Sequence, residues 1–116
     1  ASTIEGKEFG YVFINCNLTG DANQNSVYLG RPWRPFAKTV YINCAIDSII
    51  IPEGWHNWSK SEAEKTTFYA EYNSKGLGGN ISKRVSWSHQ LTKQQSKKYT
   101  AKNVLSGKDN WNYKKF

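Results

Sequence analysis

Residues 28 to 33, Tyr-Leu-Gly-Arg-Pro-Trp, set one cation and one large aromatic two positions apart with a proline between them. Arg31 offers a planar, permanently charged fork suited to a carboxylate or another oxyanion. Trp33 offers a flat apolar face on which a ring can pack. Gly30 tolerates dihedrals that other residues avoid and Pro32 fixes its own φ, so the same stretch also reads as a rigid turn. Other chemistry-bearing residues read more plainly. Trp55 and Trp58, in Gly-Trp-His-Asn-Trp, read as packing beside a glycine turn. Glu71 reads as structural and Arg84 as satisfying a turn. His56 and His89 lack the partner spacing of a metal site or a catalytic triad and read as surface residues. Cys16 and Cys44 lack CxxC spacing, which argues against zinc.

These residues need a scaffold, and a repeat supplies one. Tyr-Val-Phe-Ile-Asn-Cys-Asn-Leu (11 to 18) aligns with Thr-Val-Tyr-Ile-Asn-Cys-Ala-Ile (39 to 46), which places Val12 on Val40, Ile14 on Ile42, Asn15 on Asn43 and Cys16 on Cys44. Each copy alternates apolar and polar positions, so Val12, Ile14, Cys16 and Leu18 are expected on one face of a strand. Strands repeating at this spacing suggest a solenoid in which each coil stacks on the last. Further strands are expected over 26–30, 48–52, 66–72 and 84–91, separated by Gly, Asn, Ser or Pro. A short helical stretch is expected over 61–66 and a longer helix over 92–107, capped by Thr92. The pattern reads as an all-β chain, a parallel β-helix closed by a short C-terminal helix; a small antiparallel sandwich stays open as the alternative. In stacked coils Cys16 and Cys44 come within disulfide reach. In-register parallel stacking points both Cβ atoms the same way, however, which favours a ladder of buried thiols.

The chain has 116 residues, enough for one small domain. Aromatics make up 15%, which argues against disorder and for a β-rich core or a stacking surface. Sixteen Lys and Arg against nine acids give a net charge of +7, favouring an acidic partner; part of it sits in Ser-Lys-Lys-Tyr (96 to 99) and in the C-terminal Asn-Tyr-Lys-Lys-Phe. No stretch approaches the ~18 apolar residues of a membrane span, and no membrane partner is expected. The chain opens without Met and without a visible secretory pattern, so its start is silent on compartment. Asn-x-Ser/Thr triplets at Asn17, Asn57 and Asn80 carry little weight in an Asn-rich chain.

Several motifs occur in a specific order: Leu-Gly-Arg-Pro-Trp, Thr-Val-Tyr-Ile-Asn-Cys, Pro-Glu-Gly-Trp-x-x-Trp, Ala-Glu-Tyr-Asn-Ser-Lys-Gly and Tyr-Thr-Ala-Lys-Asn-Val-Leu. Together they resemble the pectin methylesterases over nearly the whole chain. The resemblance implies that residues 1–116 are the C-terminal part of that family's right-handed parallel β-helix, with upstream coils outside the chain. It implies a carboxylic ester hydrolase that converts methyl-esterified homogalacturonan (pectin) to pectate and methanol, with no metal or organic cofactor. Its setting would be secreted or periplasmic. It further implies that Arg31 is a catalytic and substrate-binding residue, hydrogen-bonded to a nucleophilic aspartate, and that Trp33 binds substrate by packing on a sugar ring. The family's two aspartates sit on Gln-Asp and Asp-Phe-Ile-Phe-Gly motifs that this chain does not contain, and Asp21, Asp47 and Asp109 stand in other contexts. The expectation is therefore an inactive portion of an esterase, with self-association through an exposed β-helix end. A non-catalytic module binding acidic polysaccharide is the alternative. Nucleic-acid binding has only charge and aromatics behind it and no motif.

Overall fold

The computed structural model describes residues 2–107, so the C-terminal Asn-Tyr-Lys-Lys-Phe and Asp109 lie outside the described residues. The repeat becomes stacked coils. Strand β1 (Tyr11–Ile14) pairs in parallel with β3 (Lys38–Ile42), with Val12 beside Val40 and Ile14 beside Ile42. Strand β2 (Asn17–Leu18) pairs in parallel with β4 (Ala45–Ile46) in the same offset. Strand β5 (Phe68–Tyr72) continues the first sheet beside β3, and β6 (His89–Gln90) follows beside β5, both in parallel. The resulting order, β1-β3-β5-β6, puts each strand next to its equivalent one coil away. This is a parallel β-helix, and the all-parallel pairing excludes the antiparallel sandwich.

The two sheets meet at a bend that the alternation argument did not foresee. Asn15, Asn43 and Asn73 stand at equivalent positions with φ of 55°, 53° and 56°. Asparagine is one of the few side chains that tolerate this left-handed conformation. Asn73 Nδ2 also donates to Asn43 Oδ1 at 2.9 Å, so the bend is stacked as well as repeated. A left-handed residue between two strands resets which face points inward. Val12 and Ile14 therefore pack with Val40, Ile42, Ala70 and Tyr99 on the outer face of the first sheet. Cys16 and Leu18 join Tyr41, Cys44, Ile46 and Trp55 inside the coil. The expectation of one continuous face from Val12 to Leu18 is corrected accordingly. Asn43→Ala should lower stability by about 1–2 kcal/mol, the cost of the left-handed conformation for an ordinary residue. Asn43→Gly, which keeps that conformation accessible, should cost less. Urea midpoints check this, and equal midpoints for wild type and Asn43→Ala would count against the bend as described.

The core mixes aliphatic and aromatic side chains, with the partly exposed Phe13 at its edge. Phe13 stacks on Tyr41 at 4.8 Å, and Trp55 stacks on Tyr69 at 4.3 Å. Tyr41 donates its hydroxyl to the Leu29 carbonyl at 2.9 Å, satisfying its polar end while burial pushes its pKa up. Cys44 is buried and Cys16 half-buried, and both are free thiols. Cys16 donates to the Ile14 carbonyl of its own turn, and Cys44 to the Ile42 carbonyl of its own turn and to the Phe13 carbonyl on the neighbouring coil. This is the thiol ladder, and burial raises the Cys44 pKa, keeping it protonated and unreactive.

Several expected elements are shorter. Over 26–30 and 48–52 only isolated parallel bridges form, Val27 with Ile50 and Gly30 with Trp55. Within 84–91 only His89–Gln90 is strand. Residues 61–65 form a 3-10 turn (Ser61–Lys65). The helix expected over 92–107 is broken into α1 (Lys93–Ser96) and α2 (Ala101–Leu105). The cause is a second cap. Thr92 caps α1 through a capping box with Gln95, and Thr100 then accepts from the Asn103 amide and starts a new helix. Between them Tyr99 turns inward, 5% exposed, edge-on to Phe9.

Candidate functional site

The loop after the Val27 bridge is held by two buried residues, Leu29 and Pro32. Leu29 is 6% exposed and its amide donates to the Gly54 carbonyl at 2.6 Å. Pro32 is among the fully buried side chains. The residues that follow these two anchors are the ones turned toward solvent. Trp33 is 56% exposed and Arg31 is exposed. Gly30 has a different role from the dihedral freedom expected of it: a Cβ there would meet Trp55 Cζ3 at 3.0 Å. It is small because the buried Trp55 ring (1% exposed) passes against it. The sequence thus folds Leu-Gly-Arg-Pro-Trp down onto Trp55 and leaves the cation and the indole on the surface.

The next loop completes that surface. Trp55 is the core residue expected, but Trp58 is 38% exposed and lies 4.7 Å from Trp33, tilted by 51°. Reading Trp58 as packing is thereby corrected: it forms a two-indole wall with Trp33. Lys60 binds both halves, with its Nζ donating to the Trp33 carbonyl at 3.1 Å and lying 5.7 Å from the Trp58 ring centroid. On the other side Arg31 Cζ lies 5.6 Å from the Tyr28 ring, in cation–π range. Tyr28 in turn contacts the His56 ring at 4.9 Å. His56 is half-buried, with its backbone N–H donating to the Gly30 carbonyl at 3.2 Å, so the surface reading of this residue is also corrected. His89 is exposed and stacks on Phe68 instead. Trp58 was missed because no local signal separates a surface tryptophan from a core one. The pairing of Gly30 with Trp55, together with the Leu29–Gly54 and His56–Gly30 hydrogen bonds, brings the two loops together.

Beneath the site lies an ion pair. Glu71, on β5, is fully buried, and Arg84 meets it with two parallel hydrogen bonds, Nε to Oε2 at 2.8 Å and Nη2 to Oε1 at 3.1 Å. Ser74 and Gln90 also donate to the carboxylate. The guanidinium donates further to the Pro52 and Gly78 carbonyls at 3.0 and 2.8 Å. Gly54, with φ of 80°, packs so close that a Cβ would stand 2.5 Å from Arg84 Cδ. Arg84 does more than the turn-satisfying role expected of it: it fixes residues 52–54, the run that leads into Trp55. Glu71 is structural, as expected. Among the described residues no group of three or more His, Cys, Asp or Glu is placed to hold a metal ion, and no helix is long and apolar enough to cross a membrane.

The exposed groups are thus an arginine packed over Tyr28 and a pair of indoles, on two loops joined at Gly30, His56 and Lys60. Such a combination suits a sugar polymer that carries carboxyl groups: rings pack on the indoles and oxygens accept from the guanidinium. The Pectinesterase family model matches residues 3–108. The curated Arabidopsis thaliana protein Pectinesterase QRT1 is 36% identical over 107 residues, covering 92% of this chain and 27% of that protein. The crystal structure of a pectin methylesterase from Aspergillus niger superposes with a TM-score of 0.68 at 30% identity, over 90% of this chain and 34% of that one. A pectin methylesterase crystallised in complex with a hexasaccharide shares the fold, with a TM-score of 0.68 at 24% identity over 92% of this chain and 36% of that one. The chain therefore spans about a quarter to a third of the length of these relatives.

Proposed function

Because this chain belongs to the pectinesterase family, we propose that it supplies the arginine and the aromatic wall of a pectin methylesterase site. The observation that supports this reading is the Trp33–Trp58 pair on the loop that also exposes Arg31, a loop held by buried Pro32 and packed on buried Trp55. The reaction is hydrolysis of galacturonate methyl esters in homogalacturonan, giving pectate and methanol. Within it Arg31 orients a nucleophilic aspartate and holds it ionised, since a cation at hydrogen-bond distance favours the charged carboxylate. Trp33 and Trp58 pack on sugar rings flanking the scissile ester. The chain is the C-terminal part of the β-helix domain, and the two aspartates belong to further coils of a longer protein. The 116-residue stretch alone is then inactive, and the whole protein acts outside the cell or in the periplasm, where pectin is met.

The open end of the first coil supports a further element of this reading. Tyr11 and Phe13 are 58% and 38% exposed and line a shallow pocket of about 220 Å³ with Leu29 and Tyr41, an apolar edge suited to self-association of the isolated stretch. A non-catalytic module for acidic polysaccharide is the second reading, favoured by the same exposed indoles and Lys60. The two differ in what Trp33 does. In the full-length protein Trp33→Ala should raise KM for esterified homogalacturonan, with little change in kcat, because stacking acts on bound substrate before and during the reaction. Steady-state methanol release checks this. A fall in kcat with KM unchanged would contradict the substrate-packing role.

A further inference from the structure

His56 is one of the residues that join the two site loops, and its side chain has a protonation-dependent contact. The Trp58 amide donates to His56 Nδ1 at 2.9 Å. One residue later the Ser59 amide donates to Asn57 Oδ1 at 2.9 Å. These successive clamps hold Trp58 and Ser59 in the left-handed region, with φ of 51° and 55°, a conformation unfavourable for both. The indole of Trp58 is aimed at Trp33 only while that turn is kept. Meanwhile the His56 backbone N–H donates to the Gly30 carbonyl and its ring contacts Tyr28, so both the backbone and the imidazole of His56 touch the arginine loop.

We infer that His56 is a positioning residue for the indole wall, and that protonating its imidazole releases Trp58. The inference deepens the pectin-binding reading and rests on it for its kinetic consequence. Neutral imidazole accepts at one ring nitrogen; the imidazolium has two N–H donors and no acceptor. Charging His56 thus turns the Nδ1 contact from an attraction into two donors facing each other. The surroundings are mixed in charge. Arg31 lies over Tyr28 and Lys60 over Trp58, whereas Glu53 lines the same pocket as His56 and Tyr28, and Glu64 accepts from Asn57 Nδ2 at 2.7 Å. The wall is therefore expected to tighten as pH rises through the imidazole titration and to loosen as it falls.

The test uses His56→Asn, which keeps a side-chain acceptor for the residue two ahead, as Asn57 does for Ser59, but cannot titrate. His56→Ala removes the acceptor at every pH. In the 116-residue chain the Trp58 amide resonance is expected to shift with pH on the same curve as the His56 ring protons, and to stay flat in His56→Asn. In the full-length protein KM should rise about 2- to 10-fold on the acid side of that curve relative to His56→Asn, the loss of one hydrogen bond. A Trp58 amide that ignores the His56 titration, or identical KM–pH profiles for wild type and His56→Asn, would overturn the inference. Should the protein lack esterase activity while the Trp58 amide follows His56, the positioning role stands and the functional reading fails.

Discussion

Glu71→Ala is expected to destabilise the protein by about 3–5 kcal/mol, because it strips a fully buried guanidinium of its counter-ion. A small domain has only about 5–15 kcal/mol of stability in all, so this single change should come close to unfolding it. The Arg84 side chain is 3% exposed and its remaining partners are the Pro52 and Gly78 carbonyls, which cannot neutralise the charge. Glu71→Gln should cost less, since an amide oxygen still accepts from Arg84. Replacing both partners, as in Glu71→Leu with Arg84→Met, should recover much of the loss, because an apolar pair of similar volume avoids desolvating two charges. Denaturant unfolding of the three variants measures the order. If Glu71→Ala unfolded at the wild-type midpoint, the pair would not be buried as described. The consequence for function is indirect. Loss of the pair frees residues 52–54, and with them the seating of Trp55 beneath Gly30.

Arg31→Ala in the full-length protein is expected to lower kcat about 10- to 150-fold. That range corresponds to one charge-assisted hydrogen bond of about 1.5–3 kcal/mol to a reacting carboxylate. The loss should fall on kcat more than on KM, because the role proposed for the arginine is to act on the nucleophile. Arg31→Lys should recover only part of the rate, since an ammonium restores charge without the planar fork. Unfolding midpoints of both variants are measured alongside, because Arg31 also packs over Tyr28, and the rates are compared only for folded enzyme. Wild-type kcat in a stable Arg31→Ala enzyme would reduce Leu-Gly-Arg-Pro-Trp to a rigid turn.

The sequence revealed the coil repeat because side-chain type recurs wherever strands stack in register: Val12 over Val40 and Cys16 over Cys44 are neighbours in both readings. It hid the bend at Asn15, Asn43 and Asn73, since alternation assumes an unbroken strand and one left-handed residue resets the count. Thr100 broke the expected long helix for a similar reason: a capping residue inside a helical pattern was read as part of it. Arg31 and Trp33 were legible as a pair because a short motif fixes both. Trp58, His56 and the Glu71–Arg84 pair were not, because their partners lie on other coils: Trp58 meets Trp33, His56 meets Gly30, and Arg84 reaches back to Pro52. No window along the chain contains those contacts, and only the stacking of coils creates them.

In the function proposed for it, this stretch carries the orienting arginine and aromatic wall of an esterase whose nucleophile lies on other coils. Methanol release from methyl-esterified homogalacturonan, measured side by side for the full-length protein and for the 116-residue stretch, tests it most directly. The full-length protein should release methanol at an enzyme-like rate and the stretch alone should release none. Turnover by the isolated stretch, or none by the full-length protein, would contradict the account.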